Sequence, residues 1–220
     1  MSQIEAPVAT VHERLVRAKA ASRSLGRLSG AEKTRVLNAI ADALVDATAR
    51  IVAANGDDLE RGASTGLAVG LLDRLRLDDG RIAALAEAVR EVAVLPDPIG
   101  EVVRGHRSPT GVAIEQVRVP FGVIGAIYEA RPNVTVDIAA IALRSGNAVV
   151  LRGGTAAEAS NAVLVEIMRD TLASHGIDPE AIQTIDEFGR EGARELMQAR
   201  GLVDVLVPRG SAALIHTVTT

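Results

Sequence analysis

The sequence contains no cysteine. That absence excludes a disulfide scaffold, a thiolate zinc site, an iron–sulfur cluster and a cysteine nucleophile carried on these residues. Tryptophan is missing as well, and the aromatic side chains are Phe121, Tyr128 and Phe188 alone, too few for a base-stacking platform. With a net charge of −4 there is no basic surface to follow a phosphate backbone, so nucleic acid is not an expected partner. Of the 24 basic residues only Lys19 and Lys33 are lysines, and neither lies in a glycine-rich phosphate loop, which disfavours a lysine-centred mechanism. Long apolar runs are also lacking. The longest, Phe121 to Tyr128 with its glycines, falls far short of the ~20 residues that span a bilayer. Met1 to Ala21 scatters Glu5, Glu13 and Arg14 where a secretion signal would run basic then apolar. A cytoplasmic chain with no membrane partner is expected. His12, His106, His175 and His216 are dispersed, and no metal site is expected.

What is present is enough apolar material, 48% of 220 residues, for one sizeable core. Residues 1–98 read as helices. Between Ala31 and Ala54 the positions Leu37, Ile40, Leu44, Thr48 and Ile51 recur every three to four residues, with Ser29 placed to cap the start, which predicts one helix there. Arg81 to Leu95 repeats the pattern and stops at Pro96, since proline lacks the N–H that would continue it. Gly62, Gly66 and Gly70 are expected in the intervening loops. Residues 99–119 alternate in polarity around Ser108-Pro109-Thr110-Gly111, the chemistry of a hairpin turn. Such a ribbon serves subunit contacts or is an edge hairpin on the same domain, and its pattern leaves both open.

From residue 120 to 220 strand and helix alternate. The short apolar runs Val123–Tyr128, Ala148–Leu151, Ala181–Ile185 and Val203–Val207 have the continuous pattern of strands covered on both faces. Helical patterns at Thr135–Arg144, Ala156–Ser174 and Glu191–Ala199 separate them. The fold class is therefore α/β, a parallel, doubly wound, Rossmann-like sheet preceded by helices and a hairpin.

In such sheets ligands collect beyond the carboxyl ends of the strands. Those places carry Tyr128-Glu-Ala-Arg-Pro-Asn133, Arg152-Gly-Gly-Thr155, Asp186-Glu-Phe-Gly-Arg190 and Pro208-Arg-Gly-Ser211. Arginine beside glycine suits an anionic, nucleotide-like ligand, because the cation pairs with phosphate while glycine lets backbone N–H groups approach. Each signal also has an ordinary reading. Gly153-Gly154 makes a tight turn, Arg152 and Arg209 are solvated charges, and Asn133 caps a helix. Neither G-x-G-x-x-G nor G-x-x-x-x-G-K-[ST] occurs.

Six ordered stretches decide between these readings: Leu72-Asp-Arg-Leu-Arg-Leu, Leu95-Pro-Asp-Pro-Ile-Gly-Glu, Val119-Pro-Phe-Gly-Val-Ile-Gly, Tyr128-Glu-Ala-Arg-Pro-Asn-Val-Thr, Ser145-Gly-Asn-Ala-Val-Val-Leu-Arg-Gly-Gly and Val207-Pro-Arg-Gly. In them, from about Leu25 onward, the chain resembles the gamma-glutamyl phosphate reductase family of the aldehyde dehydrogenase superfamily, over roughly the first half of that family's length. The resemblance implies NADPH-dependent reduction of L-glutamyl 5-phosphate to glutamate 5-semialdehyde in proline biosynthesis, through a cysteine thiolate that displaces phosphate. It implies that Asn133 is the oxyanion-stabilising amide and that Arg152, Gly153, Gly154 and Thr155 line the cofactor groove. There an arginine suits a 2′-phosphate. It further implies that Pro208, Arg209, Gly210 and Ser211 form the loop beneath the pyrophosphate. Arg131 is a candidate for steering the anionic substrate. A homo-oligomer through the 99–119 hairpin and contact with glutamate 5-kinase are the partners implied.

Two features depart from the family pattern. Phe188-Gly-Arg190 stands where Thr-Asp-Arg is usual, and Thr217-Val-Thr-Thr220 precedes the family's catalytic-cysteine segment. The chain is therefore expected to be either part of a longer reading frame or a truncated remnant, and to lack reductase activity by itself. The alternative is a non-catalytic nucleotide-binding module.

Overall fold

Local capping chemistry sets the first helices in the computed structural model, which describes residues 9–129 and 131–210. In α1 (Val11–Leu25) the Thr10 hydroxyl accepts the Glu13 N–H and the Glu13 carboxylate accepts the Thr10 N–H. In α2 (Gly30–Asp46) Ser29 and Glu32 repeat that reciprocal arrangement, which satisfies two otherwise orphaned donors. The single helix expected over Ala31–Ala54 is two. The chain breaks at Ala47 (φ −91°, ψ 11°) and resumes as α3, Thr48–Ser64. Gly62 and Gly70, expected in loops, lie in helices, Gly62 within α3 and Gly70 within α4 (Val69–Leu75). Gly66 alone makes the turn, at φ +76°, a left-handed conformation that favours glycine. Helix α5 runs Asp79–Val94.

The hairpin consists of β1 (Val102–Arg107) and β2 (Ala113–Val117), antiparallel and paired only with each other among the described residues. Every residue of both strands is exposed. The ribbon is therefore not an edge of the main sheet.

That sheet is parallel: β3 (Val123–Tyr128), β4 (Ala148–Arg152), β5 (Ile182–Thr184) and β6 (Val205–Arg209), in the order β5-β4-β3-β6. Helix α6 (Pro132–Arg144) joins β3 to β4, and α7 (Glu158–Ser174) joins β4 to β5. Both steps move one way along the sheet. Helix α8 (Gly189–Gln198) then returns the chain past β3 to β6. Because parallel crossovers are right-handed, α6 and α7 cover one face while α8 lies on the other, where it meets α1. Strands β3 and β4 are buried almost throughout, whereas β6, expected to be covered on both faces, is half exposed: the other edge strand, β5, has α1 and α7 packed on it, and β6 has little helix cover among the described residues.

The N-terminal helices share this core. Helix α1 packs on β3, β4 and β5, and α2 and α5 lie over α6 and α7. Arg144 ties the layers, donating to the carbonyls of Gly30 and Leu95 and to the Thr34 hydroxyl. Both lysines are paired: Lys19 with Asp204 at 2.6 Å, and the fully buried Lys33 with Asp97 at 3.0 Å. Among the described residues no helix is long and apolar enough to cross a membrane.

Candidate functional site

The reversal of strand order between β3 and β6 is a topological switch point, where open α/β sheets form a crevice beyond the strand ends. A cleft of about 360 Å³ lies there, lined by Tyr128, Glu129, Arg131 and Val134 from the end of β3 and start of α6, and by Arg209 and Gly210 from the end of β6. The register places Arg152 beside Ile127 on one side of β3 and Pro208 beside Ile127 on the other. At ~4.8 Å per strand the backbones of Arg152 and Pro208 stand about 10 Å apart. The two arginine-bearing loops thus flank one strand end.

Arg152 is half buried and donates from Nε to the Gly189 carbonyl at 3.3 Å. Its terminal nitrogens have no hydrogen-bond partner among the described residues. Gly153 is packed rather than open. Its N–H donates to Asp186 Oδ1 at 2.5 Å, and a Cβ there would meet Asn161 Nδ2 at 2.3 Å. Gly154 precedes a single 3₁₀ turn, Thr155–Ala157, that leads into α7, and the Thr155 carbonyl accepts from Arg61. Ser211 lies outside the described residues.

Beneath these loops runs a buried polar chain. Asn161 Nδ2 donates to Asp186 Oδ2 at 2.7 Å, and Thr135 Oγ1 donates to Asn161 Oδ1 at 2.7 Å. The single Thr135 hydroxyl proton is then in use, so the Tyr128 hydroxyl, 2.7 Å away, is the donor to Thr135. Burial pushes the Asp186 carboxyl up to about 6, against the opposing pull of Asn161, the Gly153 N–H and Arg152. Burial also raises the Tyr128 phenol, with the Asp186 charge adding to it. The chain fastens together β3, α6, α7 and the loops after β4 and β5. Sequence reading missed Thr135, Asn161 and Asp186 as a unit, for they are far apart along the chain and carry no local motif.

Asn133 does not cap α6. Arg131 is the N-cap residue and makes no side-chain cap bond, Pro132 follows it, and the exposed Asn133 donates to Asp137 Oδ2 at a long 3.3 Å. Burial raises the Asp137 carboxyl, opposed by Asn133 and Arg209. Asn133 and Asp137, four residues apart and so on one helix face, line a second cleft of about 380 Å³ together with Arg74, Arg76 and Arg81. Val134 faces the first cleft. The structure thus brings Arg131, Arg209 and Gly210 together, sets Arg152 on the adjoining strand end, and puts Asn133 at the border between two clefts.

The aldehyde dehydrogenase family matches residues 2–219. The chain is 62% identical over 202 residues to the gamma-glutamyl phosphate reductase of Kineococcus radiotolerans, covering 92% of this chain and 47% of that protein. It is 50% identical over 218 residues to that of Thermobifida fusca, covering 99% and 51%. The crystal structure of gamma-glutamyl phosphate reductase from Thermotoga maritima superposes with a TM-score of 0.93 at 35% identity, over 96% of this chain and 51% of that one. The chain spans about half the length of the curated relatives it matches.

Proposed function

We propose that this chain, which belongs to the aldehyde dehydrogenase family, is the cofactor-holding part of an enzyme that reduces L-glutamyl 5-phosphate to L-glutamate 5-semialdehyde with NADPH, releasing phosphate. The observation that carries this reading is the cleft at the β3/β6 switch point, with Arg131 and Arg209 in its lining and Arg152 on the neighbouring strand end. Arg209 and Arg152, on the strand ends either side of β3, suit the phosphates of a nicotinamide dinucleotide, and Arg131 at the same crevice is left to the anionic substrate.

The cofactor, when bound, supplies a hydride. Arg152, held at Nε by the Gly189 carbonyl, offers its terminal nitrogens to the ribose 2′-phosphate. Pro208, Arg209 and Gly210, continued in the sequence by Ser211, would hold the pyrophosphate. The Gly153 N–H is already engaged by Asp186, so Gly153 and Gly154 serve by shape, keeping the groove beside Thr155 narrow in side chain and fixed in backbone. Arg131 steers the anionic substrate. Asn133, exposed and held by a single long hydrogen bond, presents its amide to the oxygen that gains charge as the acyl carbon is attacked; loss of such a donor costs ~2.7–4 kcal/mol in the barrier. Attack needs a thiolate at neutral pH. These residues contain none, so the nucleophile comes from outside them. Self-association belongs to the exposed β1–β2 ribbon, and glutamate 5-kinase, as the source of a labile acyl phosphate, is a fitting neighbour.

The absence of cysteine favours a second reading, a nucleotide-binding module without chemistry. Calorimetry with NADPH, run beside an assay of NADP-dependent oxidation of glutamate 5-semialdehyde in phosphate, tests both. Binding without turnover by the purified chain is expected, with NADPH weakened about tenfold in Arg152→Ala and NADH little changed. No NADPH binding overturns the cofactor role, and turnover by the cysteine-free chain overturns the thiolate requirement.

A further inference from the structure

The second cleft is cationic at its rim. Its rim carries Arg74, at the end of α4, and Arg76, in the link to α5; both are exposed, and neither guanidinium has a partner among the described residues. The backbone that presents them is nonetheless fixed from two sides. From beneath, the fully buried Asn55 donates to the Leu75 carbonyl at 2.8 Å and accepts the Leu77 N–H at 2.7 Å. From the rim, Arg81 donates to the carbonyls of Asp73 and Arg76 and pairs with the Asp73 carboxylate at 2.9 Å. Arg81 is thus committed to the loop, while Arg74 and Arg76 are held out unpaired on a rigid support. Leu77 and Leu85 form an apolar floor. The one carboxylate in the lining, Asp137, is turned toward Asn133.

We propose that this cleft is the oxyanion subsite for the acyl donor, with Arg74 and Arg76 as its receptors for a phosphoryl or carboxylate group. The assignment rests on the function proposed above, in that it explains why the cationic rim shares its cleft with Asn133. An acyl carbon beside the Asn133 amide leaves the donor's anionic ends within the cleft, opposite guanidinium groups that suit planar, two-point recognition of such oxygens. The first turn of α6 would then separate cofactor from substrate, with Val134 toward one cleft and Asn133 toward the other.

Titration of the isotopically labelled chain with inorganic phosphate and, separately, with L-glutamate tests the assignment and tells phosphoryl from carboxylate recognition. At least one of the two anions is expected to shift the amides of Leu75–Leu77 and Asn133. The double variant Arg74→Gln/Arg76→Gln, which alters exposed side chains without partners, is expected to weaken that anion about tenfold, whereas Arg104→Gln on the ribbon leaves it unchanged. NADPH affinity, measured in the same samples, is expected to be unaffected. Anion affinity unchanged in the double variant, or no shift at these amides with either anion, overturns the subsite. Loss of NADPH binding in the unsubstituted chain would instead strike the cofactor reading and leave the subsite to be judged by the anion titrations.

Discussion

Two pairs of strands in this chain are rich in the same β-branched residues and end in opposite surroundings. Val123 in β3 and Val149 and Val150 in β4 are fully buried, yet Val102 and Val103 in β1 and Ile114 and Val117 in β2 are each two-fifths to one-half exposed. Both pairs close hydrogen-bonded ladders. The difference is what lies on their faces: helices α1, α6 and α8 pack on β3, whereas no described residue covers the ribbon. Strand propensity makes the ladder, and burial depends on crossovers that return a helix onto the sheet. The crevice is a product of the first situation, since only a packed, doubly wound sheet holds its strand ends in register.

The largest effect of a single substitution is expected in the core. Leu151, wholly buried in β4, should cost about 2–5 kcal/mol when replaced by alanine, read as a lowered urea midpoint. A cost near zero would mean that β4 is not packed as described.

A subtler effect comes from the buried chain under the loops. Asp186 holds its proton to about pH 6 in the folded state because burial disfavours its charge, while an unfolded aspartate loses it near pH 4. Between those values the native state binds more protons than the unfolded state, so this group's contribution to stability falls as pH rises from about 4 to about 6, by up to about 3 kcal/mol. Carboxylates held low by partners against the cost of burial, such as Asp97 by the Ile99 N–H and Lys33 and Asp204 by Lys19 and the Val123 N–H, act in the opposite direction and at lower pH. Denaturant midpoints for the chain and for Asp186→Asn across pH 4–7 isolate the contribution of this carboxyl. The variant should lose that fall, and parallel profiles would show that Asp186 does not titrate there.

The smallest effects belong to the ribbon. Val103→Ser or Ile114→Thr should change the stability of the isolated chain by no more than about 0.5 kcal/mol. In an assembly that covers the ribbon, the same substitutions should weaken association, as sedimentation would show. A large loss in the monomer would mean that the ribbon packs on its own chain.

The same contrast explains what could be read in advance. β3 was legible to the residue, because Val123–Tyr128 is one apolar run between Gly122 and polar Glu129. Ser29 was legible as a cap because its partner is three residues away. The break at Ala47 was not, since apolar spacing continues across it and neither glycine nor proline marks the kink. Asp186 and Asn161 are 25 residues apart, and Asn55 meets Leu75 over 20. Such polar contacts have no periodicity, and only the assembled layers reveal them. Arg74 and Arg76 stood in a recognised stretch, but their lack of partners is a property of the folded surface.

Cofactor held at the β3/β6 switch point would be read in the amide shifts of the labelled chain on titration with NADPH. Shifts are expected at Tyr128, Glu129, Arg131, Arg152–Thr155, Arg209 and Gly210, with β1 and β2 silent. Shifts centred on the ribbon or on the α4–α5 cleft, with those crevice residues unmoved, would contradict that placement.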